Sequence, residues 1–175
     1  MMLAESILYG GDCLKEDAFT EIYSRYYRYV YRYLYSLTFS RQKAEDLTHD
    51  VFVKAFCILE FPNESIKAWL LTVAHNIYVD YVKKNKREVH SGDNALSLLS
   101  TEDVQDVVVD REELNKAFEY IKILPDSQRQ AVVLCLLNEL SYEEVSKIMG
   151  LTVSAVTNLI YRARKTLRAI RRIEK

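Results

Sequence analysis

Residues 140–168 read LSYEEVSKIMGLTVSAVTNLIYRARKTLR, and this stretch decides the fold. Ser141-Tyr142-Glu143-Glu144 has the S-x-x-E form of a capping box, in which a serine hydroxyl and a glutamate carboxylate satisfy each other's orphan backbone amides. Gly150 stands where a helix ends in the left-handed conformation. Thr152 is placed to cap the helix that follows. A short capped helix, a glycine turn and a longer capped helix make a helix-turn-helix unit. In its second helix Val153, Val156, Ile160, Ala163 and Leu167 recur at helical spacing and are predicted to face inward. Ser154, Ala155, Thr157, Asn158, Tyr161, Arg162, Arg164 and Lys165 are left to face out or to flank that stripe. Short polar side chains at the front of such a helix can reach base edges in a major groove. Cations further along can meet phosphates or guanine.

Working outward, Pro125 separates a helix expected at about 112–123 from one at about 127–138, and helices at about 142–149 and 153–172 complete the C-terminal part. Upstream, Arg28-Tyr29-Val30-Tyr31-Arg32-Tyr33-Leu34-Tyr35 alternates like a strand. The wider window overrules that reading. Phe19, Ile22, Tyr23, Tyr26, Val30, Tyr33, Leu34 and Leu37 fall on one helical face, so a helix is predicted from about Asp17 to Leu37. The remaining tyrosines then flank it among Arg25, Arg28 and Arg32, where stacking on guanidiniums is open to them. Further helices are expected at about Gln42–Leu59, behind Ser40, and at about Ser65–Lys86. Only 4 glycines and 2 prolines occur, which disfavours turn-rich β architectures. The expected class is all-α.

Charge divides the chain. The formal sum is −1, from 24 Lys+Arg and 25 Asp+Glu. Residues 66–87 carry a net +4 and residues 114–175 a net +5, whereas residues 88–113 carry −7 and residues 1–65 carry −3. The acidic stretch also holds Ser91, Gly92, Asp93, Asn94, Ser97, Ser100 and Thr101 without sustained periodicity. It reads as a flexible linker, 88–111, between two small helical domains, 1–87 and 112–175.

Cys13, Cys57 and Cys135 are far apart and odd in number, which signals neither a disulfide framework nor a zinc site; reduced, buried thiols in a cytoplasmic protein are expected. The N-terminus has no basic lead and long apolar run, and no stretch approaches a membrane span. His49, His75 and His90 form no metal or nucleophile motif, and there is no phosphate-binding glycine loop. No enzyme activity, cofactor or metal is therefore expected. One reading of the helix-turn-helix is a stand-alone regulator of duplex DNA.

Three motifs, in order along nearly the whole chain, resemble one family. Leu124-Pro125-Asp126-Ser127-Gln128-Arg129-Gln130-Ala131-Val132-Val133-Leu134, with Leu140–Val145 and Tyr161–Arg168, resembles the C-terminal DNA-binding domain of the extracytoplasmic-function group of bacterial RNA polymerase sigma factors. Ala44–Phe56 resembles that family's polymerase-binding helix, and Lys67–Tyr81 its promoter-melting, −10-reading helix. The resemblance implies promoter-specific transcription initiation, of a stress- or envelope-response regulon. It implies docking on the β′ clamp helices and β flap of core RNA polymerase, and control by an anti-sigma factor, often membrane-anchored. Carried onto matching positions, it assigns polymerase binding to Asp46, Leu47, Asp50, Val51, Phe52 and Lys54. It assigns −10 DNA to Asn63, Glu64, His75, Asn76, Tyr78, Tyr81, Lys83 and Lys84, and the −35 duplex to the outward residues of the last helix. Thr157 and Leu159 stand where many relatives carry Lys and Arg, and Thr152 replaces a common Pro. The linker is implied to thread the RNA-exit path, where its acids oppose a basic channel.

Overall fold

The structure, a computed structural model, describes residues 5–57, 65–89 and 118–173, with side chains at 19–57, 65–85 and 118–170. Asn63, Glu64 and the rest of 58–64 lie outside the described residues, as do residues 90–117, which hold the expected linker and the start of the helix expected at 112–123; of Cys13 only the helical backbone is described, and Cys57 is exposed rather than buried as expected. Among the described residues the regular structure is helical: α1 (Glu5–Thr38), α2 (Arg41–Phe56), α3 (Ile66–Val89), a helical stretch at 118–122, α4 (Asp126–Val132), a π-helical segment (Val133–Leu137), α5 (Tyr142–Met149) and α6 (Val153–Ile173).

The tyrosine-rich run is helical, as the wider periodicity requires. Val30, Tyr33, Leu34 and Leu37 are buried along α1, whereas Tyr23, at the start of the same stripe, is 40% exposed. The flanking tyrosines stack on one another more than on cations. Tyr27, Tyr31 and Tyr35 form a ladder with ring centroids 6.0 and 5.9 Å apart, while Arg25 alone among the three expected arginines lies over a tyrosine ring, that of Tyr26 at 5.6 Å. Ser40 caps α2 by accepting from the Lys43 amide, as its position predicts.

The single helix expected over 127–138 is divided. After Val132 the backbone widens into π geometry, and the Asn138 amide and side chain both donate to the Val133 carbonyl, at 3.2 and 3.3 Å. Asn138 is buried, so its polar atoms need partners inside the protein, and the wider turn supplies one. The helix-turn-helix then forms as read. Ser141 Oγ accepts from the Glu144 amide while the Glu144 carboxylate accepts from the Ser141 amide at 2.8 Å. Gly150 takes φ +62°, and Thr152 Oγ1 accepts from the Ala155 amide. Val156, Ile160 and Ala163 are buried along α6 and Leu167 is half-buried. Val153 departs from the inward stripe: it opens the helix beyond the reach of the packed turns and is 40% exposed.

The N- and C-terminal helices share one apolar core. α3 lies on α1 and α2 and also packs against α5, while α1 meets α4 and the π-helical segment. Polar groups line this junction. Tyr33 Oη and His75 Nδ1 are 3.3 Å apart, with both residues buried. Burial lowers the His75 pKa below the usual 6.5, against the opposing influence of the neighbouring Gln130 side chain and the Asp126 carboxylate.

Two stability predictions follow from these contacts. Ser141→Ala removes the hydroxyl half of the capping box and should cost about 1 kcal/mol in urea unfolding. A cost near zero would show that the box contributes nothing. Because the folded pKa of His75 is depressed, its contribution is fully present above pH 6.5 and is lost as pH falls through the lower folded value. The urea midpoint should therefore drop on mild acidification, and His75→Gln should flatten that drop.

Candidate nucleic-acid and protein interfaces

The outer face of α6 collects cations without local neutralisation. Ser154, Thr157, Asn158, Tyr161, Arg162, Arg164 and Lys165 are exposed and Ala155 is half-exposed. Tyr161 is the most open large side chain on this face, at 67% exposure. Among the described residues, Arg162, Arg164 and Lys165 make no ion pair with a carboxylate. The Thr157 hydroxyl donates back to the Val153 carbonyl at 2.9 Å, so one of the short polar side chains at the front is partly engaged by its own helix. The capped turn fixes the direction in which this face points, since both helix ends at the turn are closed by side-chain or glycine geometry. Such a face suits a polyanionic duplex.

On α3 the expected strand-reading residues separate into two sets. Asn76, Lys83 and Lys84 are exposed, and Tyr81 is half-buried against the core. Lys83 lies 3.9 Å from Asp80, with both side chains mostly in solvent, so this contact holds neither firmly. His75 and Tyr78 are instead buried. The Tyr78 hydroxyl donates to Asp126 Oδ1 at 2.8 Å, and Gln130 Nε2 donates to the other carboxylate oxygen at 2.7 Å. Burial first, and then the Asp126 charge, push the Tyr78 hydroxyl well above the usual tyrosine range, so it stays a proton donor. No local pattern marks Asp126 or Gln130 as neighbours of α3, because the pairing joins segments remote in sequence.

α2 likewise divides. Asp46, Asp50 and Lys54 are exposed, whereas Leu47, Val51 and Phe52 are buried and serve packing. Phe52 is enclosed by aromatic neighbours, with Tyr23 at 4.8 Å and Phe19 at 6.4 Å between ring centroids. The apolar groups that do reach solvent are Val53, 47% exposed, and Phe56, 56% exposed, the latter edge-on to Phe19 at 5.0 Å. Asp46, Asp50 and Val53 recur at i, i+4 and i+7, the spacing that could have added Val53 to the acidic face. Acids flanking exposed apolar side chains form a surface suited to a protein partner.

No group of described His, Cys, Asp and Glu residues is placed to hold a metal ion. Among the described residues no helix is long and apolar enough to cross a membrane.

Known proteins align with both halves. Residues 22–88 match the family model described as Sigma-70 region 2, and residues 115–167 match Sigma-70, region 4. The ECF RNA polymerase sigma factor SigM of Bacillus subtilis (strain 168) is 36% identical over 151 residues, which cover 86% of this chain and 93% of that protein. SigW of the same organism is 29% identical over 165 residues, covering 87% and 88% of the two chains. The sigma factor RpoE, solved in complex with the anti-sigma factor NepR from Bartonella quintana, shares the fold with a TM-score of 0.75 at 24% identity, over 90% of this chain and 99% of RpoE. CnrH, solved in complex with the cytosolic domain of CnrY, shares it with a TM-score of 0.66 at 23% identity, over 91% of each chain. With both sigma regions present in order and a relative matched along nearly its whole length, this chain belongs to the ECF group of bacterial RNA polymerase sigma factors.

Proposed function

We propose that the work of an ECF sigma factor, directing RNA polymerase to start transcription at particular promoters, is divided here among three helical faces. The observation that carries this division is the outer face of α6: its cations are exposed and unpaired among the described residues, and a helix-turn-helix with both caps formed holds it out. This face binds the −35 duplex, with Ser154, Ala155, Thr157 and Asn158 at base edges and Tyr161, Arg162, Arg164 and Lys165 along the backbone. Exposed Asn76, Lys83 and Lys84 on α3 meet the −10 strand first, with Tyr81 beside them and the loop containing Asn63 and Glu64 adjoining in sequence. His75 and Tyr78 join them only when their present partners are exchanged.

Core polymerase docks on α2 through Asp46, Asp50 and Lys54, with Val53 and Phe56 as apolar anchors. Leu47, Val51 and Phe52 support that surface from beneath. The division of the chain at 88–111 follows from this sharing of tasks, the two sigma regions lying on either side of the acidic stretch. The β flap is assigned to the C-terminal domain's side of the polymerase contact. An anti-sigma factor is the further partner, supported by RpoE, which shares the fold and was solved in complex with the anti-sigma factor NepR. A regulator acting without core polymerase would need neither the α2 surface nor the α3 cations. Run-off transcription with purified core polymerase tests the proposal, and no initiation under conditions where another sigma factor works would overturn it.

Two sets of variants test the separate faces. Arg162→Ala and Lys165→Ala should each weaken promoter binding and reduce the slope of log affinity against log salt by about 0.9. Unchanged slopes in both would remove α6 from the DNA surface. Val53→Glu should leave folding stability within about 0.5 kcal/mol of the parent. It should also lower core-polymerase affinity by about tenfold or more, the scale expected when an interface anchor is lost. Phe52→Ala, by contrast, should cost about 3–5 kcal/mol of folding stability, measured by urea unfolding.

A further inference from the structure

The arginines of the tyrosine-rich run on α1 serve none of the three faces assigned above. Arg25, Arg28 and Arg32 recur at i, i+3 and i+7, on the side of the helix away from buried Val30 and Leu34. Arg25 and Arg28 are exposed and Arg32 is half-buried. Among the described residues none of the three pairs with a carboxylate, although Glu21 stands one turn before Arg25. Folding does not call for this stripe. Like charges three and four residues apart oppose helix formation. The helix dipole favours cations in a last turn, yet the last turn of α1 has none and these arginines lie in its interior.

Rings interleave with these cations. The Arg25 guanidinium lies 5.6 Å from the Tyr26 ring centroid, the Tyr26 and Tyr29 centroids are 6.5 Å apart, and the Lys67 ammonium of α3 sits 4.4 Å over the Tyr29 ring. This row of cation, ring, ring and cation crosses from α1 to α3, so the stripe is continuous with the helix to which the −10 strand is assigned. Tyr29 keeps 40% of its surface in solvent. The make-up of the face selects its partner. Seven residues of helix set the three guanidiniums along about 10 Å. One strand of B-form DNA carries about three phosphates over that length. Rings beside such cations offer bases a stacking surface whatever their sequence. A bilayer surface would require apolar side chains on the same face. The exposed apolar groups Val53, Phe56, Ile123 and Leu136 lie on other segments.

We propose that the α1 face bearing Arg25, Arg28 and Arg32, with the Tyr26 and Tyr29 rings, is a second contact for single-stranded DNA, one that grips phosphates without reading sequence. It carries the strand path from α3 onto α1, and in that respect it rests on the assignment of the −10 strand to α3. Its partner is the unpaired strand that continues beyond the segment held by α3.

The test measures binding of the full-length chain to a fluorescein-labelled single-stranded DNA of randomised sequence across a salt titration. Arg28→Gln/Arg32→Gln should weaken binding and reduce the slope of log affinity against log salt by about 1.4, the share of two phosphate contacts on a single strand. Arg28→Lys/Arg32→Lys should keep the parent slope. Tyr29→Leu should weaken binding by about fivefold or more at an unchanged slope, because a ring stacks without charge. Circular dichroism should show the parent's helix content throughout. If the Gln pair loses helix, Arg25→Gln/Arg28→Gln, at two exposed positions, serves instead with the same expected change in slope. A folded Gln variant with the parent's slope overturns the site, and so does a parent that does not bind the strand. An equal effect on a duplex of the same length overturns the single-strand assignment. Intact strand binding with loss of binding to phosphatidylglycerol vesicles makes the partner a membrane and overturns the proposal as well. Lys83→Gln/Lys84→Gln separates the two readings. If it lowers the slope and the arginine variants do not, the α3 assignment stands and the α1 contact falls. If only the arginine variants lower it, the α1 contact stands and the α3 assignment falls.

Discussion

A tyrosine hydroxyl carried into a helix interface must find an acceptor there, and Tyr78 finds one in Asp126. α3 is packed against α1, α2 and α5. It can be buried so widely only if its polar side chains are met as they leave water. An unmet buried donor costs about 1–3 kcal/mol, comparable with a fair part of a small domain's net stability. The carboxylate that meets Tyr78 stands at the start of α4, so satisfying α3 also places α4. Placing α4 places the π-helical segment that continues it, and the helix-turn-helix follows after Asn138. A few hydrogen bonds between segments far apart in the chain thus act together with the shared apolar core in setting the arrangement.

Much of the local structure was legible in the sequence because it is written in short-range chemistry. The Ser141–Glu144 box, the left-handed Gly150 and the Thr152 cap each act within a turn of backbone, and all three form as read. The helical stripe on α6 survives except at Val153, the first residue of the helix. The tyrosine run on α1 was resolved by asking which periodicity persists over the longer window. Its alternation was real but had no structural consequence, because a helix distributes alternate residues around several faces. The π-helical segment was not legible in the same way. Its cause is the burial of Asn138, and burial depends on which elements pack over that residue.

The site residues show the same division. Family resemblance points to whole helices, and burial divides their residues into exposed and supporting sets. Leu47, Val51 and Phe52 belong to the matching motif, yet they lie inside, while Val53 and Phe56 in the same segment reach solvent. A motif records every residue needed to make a surface, including those that hold it up from behind. On α6 the distinction hardly matters, since a helix with one buried stripe presents nearly everything else outward. On α2 and α3, which are packed on more than one side, it matters greatly.

Charge gives the last step. The near-neutral sum of the chain conceals basic blocks at 66–87 and 114–175 around an acidic connector. On α3 the cations Lys83 and Lys84 lie in solvent while the neutral hydrogen-bonding groups, His75 and Tyr78, are buried. Charge attracts a polyanion over several ångströms without a fixed geometry, so exposed lysines need no set partner position to exert it. Hydrogen-bonding and stacking groups discriminate only at contact. On the proposed assignment of α3 to a DNA strand, the uncovered lysines would supply attraction and the covered hydrogen-bonding groups selectivity.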